Sequence, residues 1–144
     1  MVASKSKPSS PDHPPMFSNK TVLLADDSDS LCKVLTPRLE SLGLHVVKSH
    51  DAAHALFLIH KHMPDFAILD IVMPGGNGIA VLEMLRTDPR FARLPVAILT
   101  GMNDDRNRIR TEVLRAHYII KCPTVWESLR KWFEECAGEM ITSA

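Results

Sequence analysis

The sequence has few cysteines and no excess of charge of either sign. Its 144 residues include three cysteines, Cys32, Cys122 and Cys136, which are widely spaced. This spacing forms neither a disulfide framework nor a zinc pattern, so we expect a reducing, cytoplasmic location. The 17 basic and 17 acidic residues give no net charge. That balance argues against non-specific electrostatic binding to DNA or to anionic membranes.

Long apolar runs are also missing. No stretch approaches the roughly 18 apolar residues of a membrane-spanning helix, and the N-terminus lacks the apolar centre of a signal peptide. The sequence has no Gly-Lys phosphate loop of the Walker type, which excludes the commonest class of nucleotide hydrolase. The remaining composition, 45% hydrophobic and 24% charged, is typical of one globular domain with a sizeable core.

The two ends of the chain differ from its centre. Residues 1–19 are rich in Pro and Ser and have no apolar periodicity, which predicts a flexible tail. Residues 20–138 carry regular patterns and form the predicted domain. Residues 139–144 are expected to fray.

Five short apolar runs alternate with five segments of helical periodicity in residues 20–138. The runs cover residues 21–25, 45–49, 66–70, 95–100 and 118–120. Strands that alternate with helices predict an α/β fold, a parallel sheet with helices on both faces. Asp51 and Asn77 are the expected caps of the second and third helices. Residues 124–127 match a capping box for the fifth helix.

Polar residues stand at the ends of four of these strands. Asp26 and Asp27 follow the first strand, Asp70 ends the third, Thr100 ends the fourth and Lys121 follows the fifth. The carboxyl ends of parallel strands share one edge, where ligands bind in open α/β sheets. We therefore expect these five side chains to converge.

The convergent residues have compatible chemistry. Crowded carboxylates repel one another unless a cation is present, and Mg²⁺ is held by one or two carboxylates together with a phosphate. An Asp carboxylate can act as a nucleophile and form an aspartyl-phosphate. Lys121 can supply a positive charge to one phosphoryl oxygen, and the Thr100 hydroxyl can donate to another.

These residues resemble a known family. The pattern looks like the receiver domain of two-component response regulators over residues 20 to about 138, and it consists of Asp26-Asp27, Asp70, Met73-Pro74, Gly78, Thr100, Tyr118 and Lys121. The resemblance implies a flavodoxin-like five-stranded parallel sheet in the order 2-1-3-4-5. It also implies signal transduction by phosphorelay rather than an enzyme acting on a separate substrate.

The resemblance assigns roles to the acidic residues. Asp70 would be the phosphoacceptor, receiving its group from a phosphohistidine on a sensor histidine kinase or a phosphotransfer protein. Asp27 would ligate Mg²⁺ directly, and Asp26 mainly through water. The backbone carbonyl of Val72 would be a further ligand.

The same resemblance implies a switch. Thr100 and Lys121 would contact the phosphoryl group, and Tyr118 would turn inward as Thr100 moves toward that group. The surface of the fourth helix, fifth strand and fifth helix would then change and act on a protein effector or a homodimer partner. With zero net charge, no DNA binding is expected.

One loop departs from the family pattern, and two other positions affect the expected lifetime of the phosphoryl group. Cys122 stands between Lys121 and Pro123, where the family usually has Pro directly after Lys. Any cis bond there is expected at Cys122–Pro123. Val72 and Met102 are apolar at positions that flank the path of the hydrolytic water in the family, which predicts slow autodephosphorylation.

Two other functions are compatible with parts of the pattern. One is a receiver-like protein-interaction module that is not phosphorylated because of the altered loop after Lys121. The other is a phosphatase with an Asp nucleophile. Such a phosphatase would need a second Asp two residues after Asp70 as acid-base catalyst, and Val72 stands there.

Overall fold

The fold is built on one parallel sheet. The computed structural model describes residues 15–142. Its strands are β1 (Lys20–Ala25), β2 (Leu44–Ser49), β3 (Phe66–Asp70), β4 (Val96–Thr100) and β5 (His117–Ile120). They pair in the order β2-β1-β3-β4-β5, all parallel. The predicted flavodoxin-like order is confirmed.

Five helices cover the two faces of this sheet. They are α1 (Asp29–Ser41), α2 (Ala52–His62), α3 (Gly78–Arg86), α4 (Asp105–Val113) and α5 (Val125–Thr142). Apolar residues of α2 and α3 pack on one face of the sheet, and those of α1 and α5 pack on the other. Every residue of β3 and β4 is buried, as central parallel strands covered on both faces must be.

Side-chain caps fix where the helices begin. Asp51 accepts from the His54 amide at 2.7 Å, and Asn77 accepts from the Ala80 amide at 2.8 Å. Both expected caps are confirmed. The Thr124 hydroxyl, expected in a capping box of α5, lies 3.2 Å from the Cys122 sulfur.

A small hairpin follows β3 and was not predicted. Val72–Met73 pairs antiparallel with Gly76–Asn77. Gly75 and Gly76 have φ of +78° and +137°, conformations that glycine adopts without a steric penalty. The Pro74 carbonyl accepts from the Ala52 amide at 3.0 Å. The hairpin is therefore bonded to the first turn of α2.

The predicted tail is wrong at Phe17, although most of residues 1–19 lie outside the described residues. The Phe17 ring is 3% exposed and lies 4.9 Å from the Phe66 ring and 5.7 Å from the Phe133 ring. The Phe17 amide donates to the Leu42 carbonyl at 2.8 Å. A Cβ on Gly43 would collide with the Phe17 carbonyl oxygen. One buried aromatic thus extends the folded unit beyond the predicted boundary.

The C-terminal boundary also differs from expectation. Residues 139–142 continue α5 to Thr142, where fraying was expected, while residues 143–144 lie outside the described part. Inner side chains nearer the middle of this helix, including Trp132, Phe133 and Cys136, are buried. Among the described residues, no helix is long and apolar enough to cross a membrane.

Candidate functional site

The strand ends bring the expected residues to one edge of the sheet. Asp26 directly follows β1, Asp70 ends β3 and Thr100 ends β4. Lys121 directly follows β5, and its amide donates to the Thr100 carbonyl at 2.6 Å. The parallel pairing of the strands places all of these residues at the carboxyl edge.

A lysine bridges two buried carboxylates at this edge. Lys121 Nζ lies 2.9 Å from Asp26 Oδ2 and 3.0 Å from Asp70 Oδ2. Asp26 is fully buried and Asp70 is 3% exposed. Two carboxylates thus share one ammonium group, and the local charge is left negative.

Burial and charge shift the pKa values of this cluster. Burial raises the pKa of Asp70, and the charge of Asp26 raises it further, while Lys121 acts in the opposite direction. Burial also disfavours the charged form of Lys121, but Asp26 and Asp70 outweigh this effect and raise the pKa of the ammonium overall. A second cation beside Asp70 would favour its ionised, nucleophilic form.

The acidic residues fit a divalent cation. Carboxylate oxygens of Asp26, Asp27 and Asp70 lie within 4.8 Å of one another. Asp26 Oδ1 accepts from the Ser28 amide at 2.8 Å. Asp26 Oδ2 is buried and makes no hydrogen bond of good geometry to any described group, so its close partner is the Lys121 charge. A donor set made only of oxygens suits Mg²⁺.

An open cleft of about 330 Å³ gives access to Asp70. Val72 and Met102 line it and are 70% and 71% exposed. Asp104 and Asn107, at the start of α4, also line it. The sequence did not single out Asp104 and Asn107, because a polar helix start is expected whether or not a ligand site lies beside it.

The two expected switch residues, Thr100 and Tyr118, form hydrogen bonds with the loop after β4. Thr100 Oγ1 accepts from the Met102 amide at 3.1 Å. The Tyr118 hydroxyl accepts from the Asp104 amide at 3.3 Å. Tyr118 is half-buried and packs against the core on the α2–α3 side of the sheet. Both side chains therefore hold the β4–α4 loop in place.

Gly78 fits closely against the backbone of Asp70. Its amide donates to the Ile71 carbonyl at 3.1 Å. A Cβ at position 78 would collide with the Asp70 carbonyl oxygen. The start of α3 can approach β3 this closely only because residue 78 has no side chain.

The extra residue after Lys121 does not displace the ammonium group. Cys122 is exposed, and the peptide bond that joins it to Pro123 is trans, like all the described peptide bonds. Lys121 still lies at ion-pair distance from both carboxylates. The altered loop is thus compatible with the arrangement that the strand ends predict.

The fold and this acidic edge define an α/β signalling domain of the receiver class. The family model for the response regulator receiver domain matches residues 22–134, so the chain belongs to the receiver domain family.

The curated relatives that match this chain differ in length. The probable transcriptional regulator ycf27 of Guillardia theta is 40% identical over 101 residues, which cover 69% of this chain and 39% of the relative. The chain thus spans about two-fifths of the length of the ycf27 relatives it matches. Protein PilH of Pseudomonas aeruginosa is 30% identical over 110 residues, which cover 76% of this chain and 91% of PilH.

Solved receiver domains have the same fold. The non-phosphorylated HemR receiver domain of Leptospira biflexa matches with a TM-score of 0.73 and 26% identity, over 83% of this chain and 94% of HemR. The BeF3-activated receiver domain of RstA from Klebsiella pneumoniae matches with a TM-score of 0.67 and 25% identity, over 78% and 97% of the two chains.

Proposed function

We propose that this receiver domain accepts a phosphoryl group on Asp70 in the presence of Mg²⁺ and thereby switches a protein-binding surface. The observation that carries the proposal is the buried cluster of Asp26, Asp70 and Lys121, in which Lys121 Nζ lies 3.0 Å from the acceptor carboxylate. Phosphoryl transfer depends on positioning and charge neutralisation, and this cluster can supply both.

The donor is a phosphohistidine of a sensor histidine kinase or phosphotransfer protein. The phosphorus–nitrogen bond breaks as a phosphorus–oxygen bond forms to an Asp70 carboxylate oxygen. The electron pair of the broken bond stays on the imidazole nitrogen, which takes a proton from water. Asp70 is presented on a rigid strand, and Lys121 neutralises charge on the transferred group.

Asp26, Asp27 and Asp70, with the carbonyl of Val72, would hold Mg²⁺. Bound there, the cation offsets the repulsion between the carboxylates and the incoming phosphoryl oxygens. The support for this assignment is the closeness of the three carboxylates, whose oxygens lie within 4.8 Å of one another.

Thr100 and Tyr118 would transmit the change. To donate to the phosphoryl group, Thr100 must give up its hydrogen bonds to Met102. Tyr118 can then move inward, and the surface of α4, β5 and α5 changes. A protein effector or a second copy of the chain would bind this surface.

The three thiols are free, which fits a reducing cytoplasm.

Val72 and Met102 would give the phosphoryl group a long lifetime. Both side chains are exposed beside Asp70 and carry no group that could orient an attacking water. We expect the aspartyl-phosphate to persist for minutes in purified protein. Loss within seconds would contradict this part of the proposal.

Intact-mass analysis tests the main proposal. The full chain incubated with Mg²⁺ and acetyl phosphate should gain one phosphoryl group, and Asp70→Asn should gain none. Asp105→Asn removes an exposed carboxylate that pairs with Arg108, so this control should be modified like the wild type.

Beryllofluoride gives a second readout. The full chain with Mg²⁺ should bind it, as its similarity to the BeF3-activated RstA domain suggests. No adduct and no beryllofluoride binding would instead favour an interaction module that is not phosphorylated. Steady hydrolysis of small phosphate esters would favour a phosphatase.

A further inference from the structure

A second cleft lies at the opposite edge of the sheet. It has a volume of about 420 Å³ and opens where β4 begins at Val96 and β5 begins at His117. We call it the amino-edge cleft, and it is lined by the charged residues Arg86, Arg93, Arg115, Glu135 and Glu139 and by His117. Its volume falls in the range of about 300–1,000 Å³ that is usual for small-molecule sites.

Arg86 is fixed in this cleft by the backbone alone. Its Nε donates to the Leu114 carbonyl at 2.7 Å. Its two terminal nitrogens donate to the carbonyls of Phe91 at 3.1 Å and Arg115 at 3.3 Å. Three of the five guanidinium N–H groups are thus used, and none of them neutralises the charge. Arg86 is a rigid, half-buried cation.

Two more guanidinium groups lie at the same cleft. Arg93 and Arg115 are exposed. Arg115 has a left-handed backbone with φ of +59°, and one terminal nitrogen lies 3.5 Å from the Ala92 carbonyl. The arginines that form ion pairs among the described residues lie elsewhere and are Arg90, Arg108, Arg110 and Arg130.

The guanidinium groups of Arg86 and Arg115 repel each other. Burial lowers the pKa of Arg86, and the charge of Arg115 lowers it further. Glu135 and Glu139 line the same cleft, but three guanidinium groups outnumber these two carboxylates. An anion placed between the guanidinium groups would relieve their mutual repulsion.

We propose that the amino-edge cleft binds a small phosphorylated anion, with Arg93 and Arg115 closing on it beside the fixed guanidinium of Arg86. Planar guanidinium groups bind phosphate oxygens in a bidentate manner. The floor of the cleft includes Leu94, Val96 and Trp132, which are 8%, 1% and 6% exposed. Because these apolar side chains are almost fully buried, a bound anion would contact mainly the polar groups of the cleft. The site uses neither Asp70 nor Mg²⁺.

Pyrophosphate is a suitable probe, used with the full chain and EDTA. Without divalent cations the acidic edge around Asp70 repels anions, so binding there does not interfere. We expect saturable binding with a change in Trp132 fluorescence, and NMR shifts confined to residues 93–96 and 115–117. A lack of saturation, or shifts centred on Lys121, would overturn the proposal. Either result leaves phosphorylation of Asp70 untouched.

Charge variants sharpen the test. Arg93→Gln and Arg115→Gln should each raise the dissociation constant of pyrophosphate about tenfold, the usual effect of losing one charge-assisted contact. Arg130→Gln removes the same charge from a pair with Glu134 on the exposed side of α5 and should change it less than twofold. Glu135→Gln should tighten binding. An equal effect of Arg130→Gln would mean that only net charge matters and would overturn the site.

Discussion

Thr100 and Tyr118 donate their hydroxyl hydrogen bonds to one shared acceptor, the carbonyl oxygen of Met102, at 3.2 and 3.0 Å. The two residues of the proposed switch therefore bond to the same carbonyl in the loop after β4. If Thr100 turns toward a phosphoryl group, this carbonyl loses one of its two donors, and the loop is less tightly restrained.

Tyr118→Phe tests how far this loop depends on one hydroxyl. The ring stays and the hydrogen bonds to Met102 and Asp104 are lost, so unfolding should become easier by about 1 kcal/mol. Amide hydrogen exchange at residues 102–104 should accelerate, whereas exchange in β3 should not. Unchanged exchange at 102–104 would show that the hydroxyl does not hold the loop.

Mg²⁺ should stabilise the wild-type chain. A ligand that binds only the folded state at a concentration 100-fold above its Kd adds about 2.7 kcal/mol, seen as a higher melting temperature. Asp26→Asn removes a buried charge from the acidic cluster and should abolish the increase. Asp105→Asn, outside the cluster, should retain it. Stabilisation of Asp26→Asn equal to the wild type would exclude Asp26 from the metal site.

Gly78→Ala should damage the acceptor site. The added methyl group collides with the Asp70 carbonyl oxygen, so either β3 or the start of α3 must move. We expect a lower melting temperature and slower modification by acetyl phosphate.

Gly138→Ala is the matched control for this substitution. Apart from its chain neighbours and the nearby backbone of its own helix, a Cβ at Gly138 would meet no described atom within 4 Å. In this exposed helical position the change should stabilise by about 1 kcal/mol. Equal destabilisation by the two substitutions would contradict the collision at Gly78.

Thiol titration tests the packing of α1 and α5. Cys122 is exposed and Cys32 and Cys136 are buried, so one thiol of three should react in the native state and all three after unfolding. Rapid reaction of two or three native thiols at pH 8 would contradict the packing.

Burial raises the pKa of Cys136 to about 12 from 9.0. The stability linked to this thiol is thus complete below pH 9 and is lost as the pH rises toward 12.

Phe17→Ala should destabilise the domain although the residue lies in a segment of tail-like composition. Truncating a buried Phe typically costs about 3 kcal/mol or more, and Phe17 contacts two core rings. Phe57→Ala is the control, because the Phe57 side chain is 59% exposed. Chemical denaturation should separate the two variants, and similar losses would show that Phe17 is not part of the core.

The sequence predicted the sheet and the convergence at its edge because both depend on patterns with few alternatives. Apolar runs that alternate with helices allow few arrangements, and parallel strands bring Asp70 and Lys121 to one edge. Phe17 was missed because a single aromatic among Pro and Ser has no periodicity. Arg86 was missed because an arginine in the last turn of a helix resembles a solvated one, and its carbonyl partners depend on loop geometry.

The hairpin after Asp70 has a consequence for the direction of motion. On the α2 side of the acceptor, backbone pairing within the hairpin and the bond from Ala52 to Pro74 join main chain to main chain. On the α4 side, the β4–α4 loop is restrained largely by the hydroxyls of Thr100 and Tyr118. Asp70 therefore has a stiff flank and a soft flank. A displacement that starts at Asp70 meets less resistance toward α4 than toward α2.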